Sequence, residues 1–312
     1  VVEPQGDAEF FTRYDTEKPG TGPTSIVGID ANGDGFSEFA TANLVDFTVV
    51  QNRADGNRRD LYFDDEAVFP VSGTVLKIAA GDVDADGDTD LFILAGGPNR
   101  VAVHFNDGSG DFSASADVAL PSLAGGDLYD FDVADFDATP GLDVAVLGAG
   151  NLVVVASSIT ATGDATTTSF TVETAAQEFK EIAAGSIQQN AVYDLAFLAP
   201  RVTGDVALEP EIAVYANDAN AAFTKYYSEV LGTDATTLLF ADITFDGFAD
   251  IYVGPYFWAH SEDEATYAGG RVRMNHQAQP IDALLVNVTD DAIGELIIAE
   301  ELRVAVLTPS CD

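Results

Sequence analysis

Asp82-Val83-Asp84-Ala85-Asp86-Gly87-Asp88-Thr89-Asp90 is the stretch on which the reading of this chain turns. Oxygen-bearing side chains stand at its positions 1, 3, 5 and 9, and glycine stands at position 6. A tight loop with that spacing points alternate side chains at one hard cation, while the backbone carbonyl of position 7 adds a further oxygen. The oxygen spacing returns three times, with the glycine at position 6 in the first and last of these: as Asp30-Ala31-Asn32-Gly33-Asp34-Gly35-Phe36-Ser37-Glu38, as Asp135-Phe136-Asp137-Ala138-Thr139-Pro140-Gly141-Leu142-Asp143, and as Asp242-Ile243-Thr244-Phe245-Asp246-Gly247-Phe248-Ala249-Asp250.

The spacing of these loops exposes a repeat. The first three begin 52 and 53 residues apart, at 30, 82 and 135. The next step lands on Ser186-Ile187-Gln188-Gln189-Asn190-Ala191-Val192-Tyr193-Asp194, which keeps the length and loses most of the charge. After Asp242 a sixth copy opens at Asn287, as Asn287-Val288-Thr289-Asp290-Asp291-Ala292-Ile293-Gly294-Glu295. Six units cover the chain as one domain, 1–312. In each, an apolar run enters the loop and a second leaves it, as in Val75 to Ala80 and Leu91 to Leu94. A third run follows (Val101 to Phe105, Leu152 to Ala156, Ile212 to Tyr215), then a Gly- or Asn-containing turn and a more polar segment opening at Phe112, Phe170 or Phe223. Short β-branched and aromatic runs bounded by Gly, Asn and Asp are hairpin strands. Four antiparallel strands per unit, repeated radially, predict an all-β, six-bladed β-propeller. The last unit, ending at Leu307, is one strand short. Because an unpaired edge invites aggregation, residues 9–15 are expected to complete the sixth blade and close the ring.

These motifs resemble the FG-GAP/VCBS repeats of integrin-α-like propellers, in which an Asp-x-Asp/Asn-x-Asp-Gly-x-x-Asp loop is followed by an Asn-Gly-Asp-Gly-x-Phe-like hairpin. The resemblance runs from about residue 1 to 310, strong in units one, two, three and five, weak in four and six. It implies a propeller with one calcium ion between the first two strands of each intact blade.

The four acidic loops place three or four anions at identical offsets, and their mutual repulsion calls for a cation. The all-oxygen, flexible set suits calcium better than magnesium, and the absence of His and Cys from these loops disfavours transition metals. The expected ligands are Asp30, Asn32, Asp34 and Glu38 with the Phe36 carbonyl; Asp82, Asp84, Asp86 and Asp90 with Asp88 at position 7; Asp135, Asp137, Thr139 and Asp143 with the Gly141 carbonyl; and Asp242, Thr244, Asp246 and Asp250 with the Phe248 carbonyl. A weaker fifth set is Asn287, Thr289, Asp291 and Glu295 with the Ile293 carbonyl. The fourth loop, with Ser186, Gln188 and Asn190 in place of anions, is expected to stay metal-free. Each unit is expected to fold its own loop, independently of the others.

Net charge is −39, with 52 acidic against 13 basic residues. That excludes nucleic acid, which needs phosphates neutralised, and disfavours an anionic membrane surface. Four divalent ions offset only a fraction of the excess, which keeps the protein soluble by self-repulsion and hints at a saline setting. No apolar run approaches the length of a membrane span. The abrupt opening at Val1-Val2-Glu3-Pro4 is compatible with a removed targeting segment and says nothing against secretion. A secreted or cell-surface location is the expectation, with no targeting segment in this chain. Cys311 is the single cysteine, read as an exposed tail residue.

No nucleophile elbow, His-Glu-x-x-His or phosphate-binding glycine loop occurs, and carboxylate pairs are too abundant to signal acid–base catalysis. Of His104, His260 and His276, the first reads as a strand residue. The expectation is therefore a calcium-stabilised adhesion or recognition module, non-catalytic, for a protein or glycan; the alternative is the propeller of a polysaccharide lyase or hydrolase. Recognition is expected on the face opposite the calcium loops, with Tyr129, Arg201 and Trp258 as first ligand-binding candidates. Trp258 and Tyr256 read equally well as blade-packing residues.

Overall fold

The computed structural model describes residues 22–52, 63–173, 177–188, 190–202, 208–219, 222–232, 235, 237–260, 267, 272–273, 280–286, 295–300 and 303–307. The expected closing strand over 9–15, Asn287 to Ile293 of the sixth loop, His276 and Cys311 lie outside them.

Among the described residues the strands form six antiparallel sheets, each in sequence order. The first holds β1 (Ser25–Ile29), β2 (Glu38–Ala42), β3 (Asp46–Asn52) and β4 (Phe63–Pro70). The second holds β5 (Thr74–Gly81), β6 (Asp90–Gly96), β7 (Arg100–Phe105) and β8 (Ala114–Ala119). The third holds β9 (Leu128–Ala134), β10 (Asp143–Gly148), β11 (Leu152–Ser157) and β12 (Thr166–Thr171). The fourth holds β13 (Glu181–Gly185), β14 (Asp194–Ala199), β15 (Glu211–Asn217) and β16 (Phe223–Val230). The fifth holds β17 (Leu238–Ala241), β18 (Asp250–Val253), β19 (Tyr256–Trp258) and β20 (Val272–Arg273). The sixth is three-stranded: β21 (Pro280–Val286), β22 (Glu295–Glu300) and β23 (Arg303–Leu307).

Burial follows position in the sheet. The second and third strands are buried along almost their whole length in β6, β7, β10, β14 and β15, whereas the outer strand β12, Thr-Thr-Thr-Ser-Phe-Thr, is nearly all exposed. Middle strands are apolar on both faces because successive side chains point to opposite sides and each side meets a different sheet. Thus Val144 and Val146 of β10 pack against Phe92 and Leu94 of the second sheet, while Ala145 and Leu147 pack against Leu195 and Phe197 of the fourth. The same interleaving joins the first sheet to the second, the fourth to the fifth, and the fifth to the sixth. One expected boundary moves: Phe170 lies near the end of β12, not at its start, because the turn from Ser157 to Thr166 is long. There it stacks on Phe223 at 4.9 Å.

The first strands of successive sheets are neighbours, and all six line one cavity of about 920 Å3. An inner strand exposes an unpaired edge, and its N–H groups need acceptors. Side chains of the preceding unit supply them. Asp130 and Asp132 of β9 accept from Ile182 (3.1 Å) and Ala184 (2.8 Å) of β13. Glu181 of β13 accepts from Leu238 of β17 at 2.9 Å, and Lys77 of β5 donates to Asp130 at 2.6 Å and to the Phe131 carbonyl at 3.1 Å. Burial opposes the charge on Lys77, but Asp130 beside it holds its pKa above the ordinary value.

Burial, with Asp130 next, pushes Glu181 from 4.5 up to about 7; Lys77 opposes the shift and Asp282 adds to it. A carboxyl raised in the folded state stabilises fully below its unfolded value and loses that contribution as pH rises through its folded one. Stability of the wild-type chain should therefore fall through the window from 4.5 to about 7 on account of this group. Glu181→Gln keeps an acceptor for Leu238 and should raise stability above that window, on the order of 1–2 kcal/mol once screening by cavity water is allowed for. Urea midpoints of both proteins across pH check this; parallel curves would overturn it.

Candidate ion-binding loops

The loop backbone takes its shape from one left-handed residue at position 4. Gly33, Ala85, Ala138 and Phe245 all have φ between 59° and 68°. A second left-handed residue sits at position 6 in Gly35, Gly87 and Gly247. In the third loop it moves to position 7, Gly141 with φ +92°, since Pro140 at position 6 cannot adopt positive φ. A Cβ on Gly141 would lie 2.1 Å from the Val83 carbonyl oxygen of the second loop. Gly141→Ala is expected to lower stability by about 2 kcal/mol or more, from strain and the clash together, read as a lower urea midpoint.

Within this frame the position-1 carboxylate gathers the loop's own N–H groups. Asp30 accepts from Asp34 (3.2 Å) and Gly35 (3.0 Å), and Asp242 accepts from Asp246 (3.0 Å) and Gly247 (2.8 Å). Asp135 Oδ1 accepts from Asp137 and Ala138, at 3.2 and 2.6 Å. Asp82 differs: Oδ2 accepts from Gly87 at 3.1 Å, while Oδ1 is buried with no partner. Position 5 also turns back on the loop: Asp34, Asp86 and Asp246 accept from the N–H two residues on, while the Thr139 N–H and hydroxyl both donate to Asp137. Asn32 Oδ1 accepts from Asp34, and the Thr244 N–H donates to Asp250. Phe36 and Phe248, each at position 7, differ in surroundings: Phe36 is exposed, and Phe248 stacks on His260 at 4.9 Å.

Position 9 has a further role. Glu38, Asp90, Asp143, Asp194 and Asp250 are each at most 1% exposed. One oxygen accepts the N–H of position 2: Ala31, Val83, Phe136, Ile187 or Ile243, at 2.7–2.9 Å. The other accepts an N–H at or after the third-strand end: Asn52 (3.4 Å), Asn106, Asn217 or His260 (each 2.8 Å). The fourth loop keeps this brace although its other anions are gone. Burial pushes Asp90 up to about 6 and Asp143 up to about 7, with neighbouring loop carboxylates adding to the shift.

Asp82, Asp84 and Asp86 bring one carboxylate oxygen each within 4.8 Å of one another, and so do Asp135, Asp137 and Asp143. Burial and then the charges of Asp86 and Asp82 hold Asp84 above its ordinary pKa. Either triad could hold a metal ion. The donor set fits a hard cation: all oxygen, like-charged, and in the second loop including a buried oxygen, Asp82 Oδ1, that the protein leaves unsatisfied. The first and fifth loops share the backbone geometry with their carboxylates turned onto their own N–H groups. Glu295 opens β22, and the rest of the sixth loop lies outside the described residues.

The three ligand candidates of the opposite face land in different settings. Trp258 is corrected: it is 0% exposed, packed between the fourth and fifth sheets, and its indole N–H donates to Glu229 at 3.0 Å. A large aromatic in a middle strand is buried by both adjoining sheets, so it cannot stand on a recognition face. Arg201 is held by Glu209 in a two-pronged pair, 3.0 and 2.6 Å. Tyr129 lines the central cavity, with Lys180 3.2 Å above its ring and its hydroxyl donating to Glu178 at 2.8 Å. His104 is a packed strand residue, its Nδ1 2.9 Å from the Phe112 carbonyl and its ring edge-on to Phe47.

Asn106 and Asn217 escaped the sequence reading, which saw them only as turn residues. Asn106 Nδ2 donates to Ala31 O (2.8 Å) of the first loop and Thr89 O (3.2 Å) of the second. Asn217 Nδ2 donates to Phe136 O (2.8 Å) and Tyr193 O (3.0 Å). Their separations from position 9, 16 and 23 residues, differ too much for a spacing motif to reveal them.

Sheets in sequence order around a shared cavity, four of them with a nine-residue acidic loop between the first and second strands, define a repeat-built, propeller-like domain. Residues 82–146 match the FG-GAP-like repeat, so the chain carries a repeat of that family from the second loop into β10. The fold is similar to that of a crystal structure of BBS1N in complex with ARL6DN, soaked with mercury: 10% identity, 93% of this chain and 78% of that chain covered, TM-score 0.62. A lead-soaked crystal of the same complex aligns at 9% identity over 94% of each chain, TM-score 0.47. At such identity the likeness speaks for the fold alone. A search of the curated proteins gives no match. Among the described residues no helix is long and apolar enough to cross a membrane.

Proposed function

We propose that this chain is a closed six-bladed propeller, stabilised by calcium and acting outside the cell as a non-catalytic module that recognises a protein or glycan. The observation that carries the calcium reading is the convergence of Asp82, Asp84 and Asp86 around a buried oxygen with no protein partner. When bound, calcium supplies charge neutralisation and rigidity. Asp82, Asp84 and Asp86 would hold it in the second loop and Asp135, Asp137 and Asp143 in the third, with the first and fifth loops as further sites. Residues 9–15 would add the fourth strand beside β23, completing the sheet that has three strands among the described residues.

Recognition by a protein partner is supported by the structural relative, which is itself in complex with ARL6DN. On this chain, Tyr129 and Arg201 are held by Glu178, Lys180 and Glu209, so their positions are ordered before any partner arrives, which lowers the entropic cost of binding. The test is binding of the full chain, in calcium, to arrays of glycans and of secreted and cell-surface proteins, with Tyr129→Ala and Arg201→Ala beside the wild type. Binding lost in these variants while their melts stay unchanged supports the face assignment; binding untouched by both overturns it. Turnover of a polysaccharide by the purified chain would overturn the non-catalytic reading.

A further inference from the structure

We propose that the ion loops bind cooperatively, each holding its neighbour in binding geometry, with Asn106 and Asn217 as positioning residues between loops. This rests on the calcium reading above and goes beyond it. Independent loops are what a repeat protein leads one to expect, but the loops here are bonded to one another in a fixed register.

The position-1 carbonyl of one loop accepts the position-8 N–H of the next. Leu142 donates to Asp82 at 2.8 Å, Tyr193 to Asp135 at 2.8 Å, and Ala249 to Ser186 at 2.7 Å. Each acceptor belongs to the residue that opens a loop, and each donor immediately precedes the buried position-9 carboxylate of the loop after it. Asn106 ties the first loop to the second, and Asn217 the third to the fourth, each donating from one amide nitrogen to position 2 of the earlier loop and position 8 of its own. These amides have little freedom. Both residues are at most 5% exposed. The Asn106 side-chain oxygen also accepts from Gly108 and Gly110, each at 3.1 Å, and its backbone N–H donates to Asp90. The close approach of Gly141 to Val83 leaves no slack between the second and third loops.

An empty second loop holds like charges near one another around a buried oxygen, so relaxing that repulsion moves the Asp82 peptide. The Asp82 carbonyl orients Leu142, and through it Asp143. An ion that holds Asp82 in place therefore pre-forms the third site, and reciprocity requires the third ion to favour the second equally. The fourth loop, whose one carboxylate is the Asp194 brace, keeps both links, to Asp135 and to Ala249, and so serves as a relay between the third loop and the fifth.

The test is calorimetric titration of the chelator-stripped full chain with calcium. The wild type should titrate more steeply than independent sites. Asp84→Asn should bind one ion fewer and hold the others about fivefold more weakly; one ion fewer with the remaining affinities unchanged would overturn the coupling. No calcium binding by the wild type would instead remove the ion sites themselves, a failure seen before any variant is compared. Asn106→Ala removes a side chain that bonds to backbone alone, leaves the Asn106 N–H on Asp90, and should keep the ion count while flattening the titration; wild-type steepness in the folded variant would overturn the role given to Asn106. Amide exchange decides the point without altering Asn106. In Asp137→Asn, whose third site is disabled, calcium should still slow exchange of the Leu142 N–H beyond any slowing at buried Val154, which reports global unfolding. Equal slowing at the two amides would overturn the proposal.

Discussion

Stripping calcium is expected to lower the melting temperature by on the order of 10 °C, and restoring it to reverse the change. An ion bound only by the folded loop, at a free concentration a hundredfold above its dissociation constant, contributes about 2.7 kcal/mol. The two carboxylate triads around Asp84 and Asp137 would together contribute about 5 kcal/mol. A domain of this size shifts by roughly 2–4 °C for each kcal/mol. Magnesium should restore less, because it dehydrates reluctantly and demands near-octahedral geometry. Scanning calorimetry with chelator, calcium and magnesium checks this, and an unchanged melt after metal removal proven by elemental analysis would overturn it. Asp84→Asn should lower the melt in calcium and change it little once the metal is gone.

Asp90→Ala should cost about 2–5 kcal/mol, because it leaves the buried N–H groups of Val83 and Asn106 without acceptors. Asp194→Ala should cost a similar amount through Ile187 and Asn217, although its loop lacks the other carboxylates. The difference between them lies in calcium. The loss in Asp194→Ala should change with the ion only as far as the fourth loop and Asn217 relay coupling to the third site, because its own bonds are to backbone alone. The loss in Asp90→Ala should be larger with calcium present, since that loop also loses its ion. Urea denaturation of both variants in calcium and in chelator measures the four values; a small, calcium-dependent loss in Asp194→Ala would show that position 9 acts as a ligand and not as a brace.

Much of this was legible in the sequence because strands and loops obey local rules. Alternation and turn chemistry placed strands within a few residues where a run was read, as in Val75 to Ala80, Leu91 to Leu94 and Val101 to Phe105, which became β5, β6 and β7. The acidic spacing located nine-residue loops whose left-handed residues fall at shared positions. Phe170 was misjudged because the length of the preceding turn is a local accident that no repeat dictates.

What the sequence by itself determined is the unit: its strands, its acidic loop and the order of its oxygens, since each follows from side chains a few residues apart. Only the tertiary structure decided how the units join. Trp258 became core because two sheets close over a middle strand. Asp130 and Glu181 became braces because an inner edge one unit away needs acceptors. Asn106 became a hub because the Ala31 carbonyl, 75 residues earlier, meets it across the boundary between sheets. These pairings arise where apolar faces pack and bring distant backbone together, and so leave no spacing in the sequence to be read.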